Sequence, residues 1–517
     1  MIPSKIAVLG GGLSGLSSAY HLSRRFPKSQ IVLLEKQSQL GGWVRSERVS
    51  LPGLEASVLL EGGPRTLRPN NESVLELINL LNLQDEVITV SKSSPPAKSR
   101  YLYIHESPSS AMSGLQLLPT TLVSLLSSPL SSIMFPPILR EIFKRGNRPA
   151  DLKDESVDSF FKRRFGETFA RTFGSALVHG IYAADSRKLS VRSAFPVAWD
   201  AEDRGFGGMI RGLLVAPRKS IDQGDKYDLG DTSAMMRDVS VYSFREGMQT
   251  LTNSLVAALQ SSPNVTILEN TAVSRVSLRS AGTLEIKHSS GPSLQVSHAV
   301  SALPLPVLER LVTTQTTTPK ISNLTYNPLS TVTVVNLVFP CPPKDLHPEG
   351  FGYLIPRPPD DYPKSPAHAT PGILGTVFDS CSLHEQDSPQ TTNYYTDSPI
   401  TKLTMMTGGP YPALPLPPRA SPAPHNVHIP QFIRTLLDAL QTQLGRPVPD
   451  PVYWRIWKNE QCIPTLLPGH LARVQDMKNL LQSKRGWGGR LEVIGAGVGG
   501  VSVGDCVQAG RNTGKDW

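Results

Sequence analysis

The stretch "KIAVLGGGLSGLSSAYHLS", Lys5 to Ser23, sets an apolar run against a burst of glycine and then a helix-like pattern. It reads as a strand over Ile6–Leu9, a glycine turn, a helix over Leu13–Arg25, and a second strand in "QIVLLEK" that ends at Glu35. Gly10, Gly12 and Gly15 satisfy G-x-G-x-x-G, and Glu35 follows the last of them by about twenty residues. Gly10 permits the tight turn, Gly12 lets backbone approach a pyrophosphate, and Gly15 lets helix and strand pack closely. The helix N-terminus offers free N–H groups to phosphate oxygens. The Glu35 carboxylate suits ribose hydroxyls. Glycine loops often serve only turns, but strand, helix and terminal acid together point to a nucleotide cofactor.

At 517 residues the chain exceeds one core's worth of sequence, so two or three lobes built from non-contiguous segments are expected. A formal charge of +9 implies affinity for anions, whether an anionic ligand, acidic lipid or nucleic acid. Charged residues are only 18% of the chain and no basic cluster is interleaved with aromatics, which sets nucleic acid aside. The four cysteines lie far apart with no CxxC or histidine-rich companion, so neither a disulfide framework nor a metal site is expected. No cleaved leader fits before Lys5, because the first strand begins there.

Beyond the opening unit come two glycine-rich stretches with arginines, "LGGWVRSER" (Leu40–Arg48) and "LLEGGPRTLRP" (Leu59–Pro69). "RLEVIGAGVGGVSVGDCVQAGR" (Arg490–Arg511) reads as a strand, a glycine turn and a helix starting near Asp505, with Asp505 as its N-cap. Glycine-lined helix starts at both termini suggest one cofactor held at two ends. Leu117–Arg148 is strongly apolar, broken by four prolines, then basic at Arg140, Lys144, Arg145 and Arg148. It lacks the run of about 20 apolar residues needed to span a bilayer. It suits short amphipathic helices in an anionic headgroup layer, or a helical cap over a ligand pocket. Val312–Lys320, Pro356–Pro371 and Pro410–Pro424 look like surface insertions, and Lys219–Asp238 like a flexible excursion. Ser330–Phe339 and Lys402–Gly409 are strand-like.

Taken together, "GGGLSGLSSAYHLS", "LGGWVRS", "EGGPRTLRP", "HGIYAADSRKLSVRSAFP", "SFREGMQTL", "VVNLVFP", "EGFGYLIP", "GTVFDS", "LTMMTGG" and "GGVSVGDCVQAGR" resemble, in order from end to end, the oxygen-dependent protoporphyrinogen oxidase family of the flavin amine oxidase and phytoene desaturase superfamily. The resemblance implies an α/β fold: a Rossmann-like FAD-binding domain of the p-hydroxybenzoate-hydroxylase/amine-oxidase type, a mixed-sheet substrate domain and a helical membrane-binding lobe. It divides the chain into FAD-binding segments at 1–92, 226–320 and 451–517, a helical membrane or lid lobe at 93–225, and a substrate domain at 321–450. It also implies an oxidoreductase of haem biosynthesis that converts protoporphyrinogen IX to protoporphyrin IX, passing electrons to oxygen with release of hydrogen peroxide. The enzyme would sit peripherally on the intermembrane-space side of the mitochondrial inner membrane, with a homodimer and a ferrochelatase as candidate partners.

By matching motifs, the flavin would contact Gly10, Gly11, Gly12, Leu13, Ser14, Gly15, Glu35, Lys36, Trp43, Gly63, Pro64, Arg65, Thr66, Val273, Val501, Ser502 and Val503. The substrate would meet Arg100, Gly180, Phe351, Leu354 and Met406. A flat tetrapyrrole with two propionates needs apolar walls and a cation, and arginine pairs with carboxylate bidentately. After "YLYI", where the family often has a glycine pair, this chain has His105-Glu106-Ser107-Pro108. No general base stands out. His179 is the one imidazole considered for proton acceptance, against a packed, hydrogen-bonding role. Two other readings stay open at this point: a flavin amine oxidase, which needs an aromatic cage, and a flavin-free prenyl-binding escort on the same fold, similar to the GDP-dissociation inhibitors.

Overall fold

The computed structural model describes residues 2–51, 53–105, 110–143, 146–215, 226–279, 282–312, 319–365, 371–417 and 429–517. Its first sheet is entirely parallel, in the spatial order Leu491–Val493, His298–Ser301, Lys5–Leu9, Gln30–Leu34, Val265–Leu268. Both faces are covered, which is why these strands read as apolar runs without alternation. Ile6, Val8, Ile31 and Leu33 face one core with Leu16 of the helix Leu13–Arg25 and with Leu251 and Leu255 of the helix Gln249–Gln260. Ala7, Leu9, Val32 and Leu34 face the other, against Val276, Ile286 and the fully buried Trp487. The sheet thus joins segments from the beginning, middle and end of the chain.

A second, seven-stranded mixed sheet runs in the order Tyr453–Pro464, Leu329–Phe339, Thr401–Gly408, Ile373–Val377, Gly352–Leu354, Tyr101–Ile104, Gly114–Leu117. One face, with Val335, Leu337, Leu403 and Met405, packs on Ile433, Leu436 and Leu440 of the helix Gln431–Leu444. Its composition corrects two expected boundaries. The strands Tyr101–Ile104 and Gly114–Leu117 lie in the segment assigned to the helical lobe, yet they form one edge of this sheet; Tyr453–Pro464, assigned to the last FAD-binding segment, forms the other.

The helical lobe begins at Leu122 and includes Leu122–Ser127, Ser131–Phe143, Val157–Phe165, Ser175–Tyr182, Pro196–Arg204 and Met209–Leu214. Its interior combines a phenylalanine-rich core with buried ion pairs. Arg164 and Glu141 are both fully buried and paired, and Glu141 also accepts from the backbone N–H groups of Met209 and Ile210 at 2.7 and 3.1 Å. Arg148 corrects the headgroup reading: it pairs with Glu202 at 2.6 Å and Asp203 at 2.7 Å and stacks 3.7 Å over Trp199. Its charge is spent inside the lobe. Arg140 is exposed, and Lys144 and Arg145 lie outside the described residues.

The proline-rich tracts fall partly outside the described residues, as does Lys219–Asp238. The part from 226 onward packs back on the cofactor domain, with Thr232 fully buried and Tyr227 donating to Gln508 at 2.6 Å. No helix among the described residues is long and apolar enough to cross a membrane.

Candidate active site

The helix Leu13–Arg25 starts at Gly12, whose backbone is extended and which has no side chain to cap the first turn. Its N–H groups and the positive end of its dipole therefore remain for a ligand. A Cβ on Gly15 would stand 1.9 Å from the Gly10 carbonyl oxygen, so helix and turn meet only because position 15 is glycine. A Cβ on Gly12 would meet nothing nearer than the Gly42 Cα at 4.0 Å; a cradle opens there. Leu13 and Ser14 form the buried first turn.

Glu35 accepts from the N–H of Gly11 at 2.7 Å and of Gln37 at 2.9 Å, which fixes its carboxylate at the strand end with lone pairs to spare. Lys36 beside it is exposed. The Gly41 N–H bonds the Gly11 carbonyl at 2.8 Å and carries Trp43, 40% exposed, to the same rim. Thr271 N–H donates to the Glu35 carbonyl at 2.7 Å, placing Val273 two residues beyond. Gly63, Pro64 and Thr66 are half-buried around a buried Arg65. One nitrogen of Arg65, Nη2, is buried with no hydrogen-bond partner among the described residues.

At the other terminus Ser502, not Asp505, is the N-cap of the helix Val503–Asn512. Ser502 Oγ accepts from Asp505 N–H at 3.1 Å, and Asp505 Oδ2 accepts from Ser502 N–H at 3.0 Å, a reciprocal capping box. Asp505 is thus the third helical residue. This helix packs along Leu13–Arg25, with Ser18 and Thr513 hydroxyls 3.0 Å apart, so Val501, Ser502 and Val503 stand at the end of the chain beside its beginning. An open helix start, a fixed terminal carboxylate and a buried guanidinium with one unpartnered nitrogen fit an anionic dinucleotide.

The residues expected to meet the substrate fall into two groups. Leu354, Gly375, Met406, Val334 and Trp457 are directly paired across five neighbouring strands and so share one face of the seven-stranded sheet. A Cβ on Gly180 would lie 2.6 Å from Leu354 Cδ2, which puts the helix Ser175–Tyr182 against the end of that row. At the sheet edge, the Arg100 guanidinium lies 5.6 Å over the Phe351 ring. Arg100 Nε is buried without a partner, and burial, then the neighbouring Arg68 charge, lowers its pKa. A desolvated cation beside a like charge favours an anion between them. Gly375, Trp457 and Arg68 were not expected here from the sequence: strand register alone aligns the first two, and Arg68 follows the Gly63–Thr66 stretch expected at the cofactor.

His179 is 2% exposed and uses both ring nitrogens: Nδ1 bonds the Ile355 carbonyl at 2.7 Å, and Nε2 meets the Tyr362 hydroxyl at 2.7 Å. Burial drives its pKa down to about 4. A neutral ring therefore donates from Nδ1 and accepts at Nε2, leaving no lone pair for a substrate proton, so its place is the packed, hydrogen-bonding one and not that of a base. Tyr362 belongs to the supposed surface insertion at Pro356–Pro371. Its described part, residues 356–365, instead straps the sheet to the helical lobe through His179, an Arg357 N–H to Ser175 Oγ bond of 2.8 Å and the Arg187–Asp361 ion pair of 2.8 Å. Tyr411 packs edge-on to Tyr362 at 5.0 Å. Among the described residues no cluster suits a metal ion.

The sequence profile described as flavin containing amine oxidoreductase matches residues 13–397. A protoporphyrinogen oxidase of Homo sapiens is 33% identical over 98% of this chain and 96% of its own length. That of Schizosaccharomyces pombe is 32% identical over 99% and 98%. A relative from Nicotiana tabacum, described as mitochondrial, is 27% identical over 76% of this chain and 75% of its own. In fold, the chain is similar to the crystal structure of a candidate protoporphyrinogen oxidase from Exiguobacterium sp. 255-15, with TM-score 0.71, 18% identity and coverage of 98% and 97%. It is also similar to cyclohexylamine oxidase from Brevibacterium oxydans, with TM-score 0.60, 15% identity and the same coverage. FAD is the cofactor that the family and the cradle share. The chain belongs to the flavin-containing amine oxidoreductases and, within them, to the protoporphyrinogen oxidase family.

Proposed function

We propose that this chain oxidises protoporphyrinogen IX to protoporphyrin IX in haem synthesis, in three two-electron rounds that consume three O2 and release three H2O2. The observation that carries the reading is the apolar row Leu354–Gly375–Met406–Val334, flanked at the sheet edge by Arg100 with its buried, unpartnered Nε. A flat macrocycle lies against such a row, and a propionate meets the cation.

FAD, when bound, would supply the two-electron acceptor that oxidation of the macrocycle requires. Gly12 and the open first turn of Leu13–Arg25 would hold the pyrophosphate and Glu35 the ribose, and Arg65 would donate from Nη2. Val501–Val503 bring the start of the C-terminal helix, whose positive end favours negative charge nearby. Leu354, Phe351, Met406 and Gly180 exclude water and align the ring, while Arg100 sets its orientation. His179 and Tyr362 hold the strap rather than a proton in flight.

The proposed location is mitochondrial, peripheral on the intermembrane-space side of the inner membrane. Support comes from the mitochondrial relative and from exposed apolar side chains gathered on the helical lobe, Phe206 at 91%, Leu214 at 83% and Phe143 at 78%. A homodimer and delivery of product to a ferrochelatase rest on the family resemblance.

The test is anaerobic addition of protoporphyrinogen IX to the purified protein. The expected result is bleaching of flavin absorbance, followed by porphyrin fluorescence when air is admitted. No bleaching by the porphyrinogen but bleaching by a polyamine would overturn the reading in favour of an amine oxidase.

A further inference from the structure

A line of buried polar groups crosses the seven-stranded sheet toward the cofactor domain. Trp457 Nε1 donates to Asn336 Oδ1 at 2.8 Å, Asn336 Nδ2 donates to Thr404 Oγ1 at 2.8 Å, and Thr404 Oγ1 donates to Asp379 Oδ2 at 2.5 Å. Arg65 Nη1 closes the line by donating to Asp379 Oδ1 at 3.3 Å. All proton donation runs one way along the side chains and converges on a single carboxylate. Asp379 and Arg65 expose only 5% and 7% of their side chains.

The far end is anchored to the same cofactor segment. Asn336 Nδ2 also reaches the Glu61 carbonyl at 3.3 Å, Asn459 Nδ2 donates to the Gly62 carbonyl at 2.8 Å, and a Cβ on Gly62 would stand 2.6 Å from the Trp457 ring. The segment Glu61–Thr66 is therefore seated on the substrate sheet at both ends. Thr404 and Asn336 lie two residues from Met406 and Val334 on the same sheet face, so this polar row runs beside the apolar row that faces the macrocycle.

A buried guanidinium with one nitrogen on a carboxylate and another without an acceptor is oriented toward something absent from the protein. A carboxylate held from both sides costs little reorganisation and fixes the plane of the arginine fork. We propose that Asp379 is a positioning residue which, held by Thr404, Asn336 and Trp457, aims Arg65 Nη2 at the bound flavin nucleotide and so couples cofactor binding to the substrate sheet. The inference rests on the flavin site but not on the identity of the substrate.

The test is a double-mutant cycle on the full-length holoenzyme, reading flavin affinity and release rate by flavin fluorescence with no substrate present. Asp379→Asn is expected to weaken FAD binding about 10- to 100-fold, in line with loss of a charge-assisted contact. In an Arg65→Met background the same change is expected to have no further effect on affinity. Thr404→Val, which keeps both charges, is expected to weaken binding about 3- to 10-fold and to leave the melting temperature of flavin-stripped protein nearly unchanged. Equal losses from Asp379→Asn in both backgrounds, or FAD affinity unaltered by Arg65→Met, would overturn the proposal. A failed porphyrinogen assay with the flavin result intact would leave it standing. Should Asp379→Asn not fold, Thr404→Val decides alone: unchanged FAD affinity overturns the proposal and weaker affinity supports it.

Discussion

Ser17 Oγ donates a hydrogen bond to the main-chain oxygen of Val507 at 2.9 Å, joining two helices whose residues are 490 positions apart. A Cβ on Gly510 would lie 2.6 Å from both Ser17 Cβ and Ser18 N. Gly510→Ala therefore forces the two helices apart. Overpacking of this kind costs about 1–3 kcal/mol. A lower melting temperature together with loss of bound flavin is expected, and a yellow protein of unchanged stability would contradict it.

Gly12 and Gly15 should respond differently to the same substitution. Gly15→Ala drives a methyl group into the Gly10 carbonyl at 1.9 Å and is expected to damage the fold itself. Gly12→Ala meets open space in the protein, so the flavin-free protein should keep its stability within about 0.5 kcal/mol. Its FAD affinity should fall at least tenfold, read by flavin titration, because the methyl occupies the cradle.

Arg100→Met keeps the side chain's length and its packing on Phe351 but removes the charge. A charged hydrogen bond contributes about 1.5–3 kcal/mol, which predicts a KM for protoporphyrinogen IX raised about 10- to 100-fold. kcat should change less, because the proposed contact is with a propionate and not with the reacting carbon. Steady-state kinetics over a range of substrate concentrations separates the two.

Burial holds His21, His179, His298 and His347 neutral, with pKa values down to about 4. Because the unfolded imidazoles titrate near 6.5, the native state binds fewer protons between these limits. Stability from each is full above pH 6.5 and is lost as pH falls toward 4. For His179 the full window amounts to about 3 kcal/mol. Melting temperature should drop steeply from pH 6.5 to 4, and His179→Leu should reduce that slope by close to one proton. A slope unchanged in the variant would sink this account.

Phe206, Leu214 and Phe143 are expected to enter the headgroup layer together, since the helix Met209–Leu214 packs on Ser131–Phe143 and Gly146 lies 3.3 Å from Gly207 when fitted with a Cβ. Burying a large apolar side chain is worth about 1.5–3 kcal/mol. Phe206→Ser with Leu214→Ser should weaken sedimentation with cardiolipin-containing vesicles by at least tenfold while leaving turnover of detergent-dispersed substrate intact.

Elements whose cause is local were legible from residues alone. The strand Lys5–Leu9, the helix Leu13–Arg25 and the strand Leu329–Phe339 each came within a residue of expectation, because apolar runs and glycine placement act over a few positions. Tyr101–Ile104 was not assigned to the substrate sheet, since pairing with Gly352–Leu354 brings together residues some 250 apart and leaves no periodic mark. Tyr362 and Arg148 were misread for a related reason: a proline-rich tract and a basic run look solvated until a buried partner such as His179 or Glu202 is brought to them.

By itself the sequence determined the dinucleotide fingerprint, which depends on residue type at short fixed spacings, and carried the ordered motifs whose resemblance to the family implies FAD. Only tertiary structure decided that Asp379 meets Arg65, that Leu354, Gly375 and Met406 form one row, and that His179 is spent on a strap. Strand register and the packing of lobes create those neighbours, and both are set by burial summed over the whole chain rather than by any local pattern.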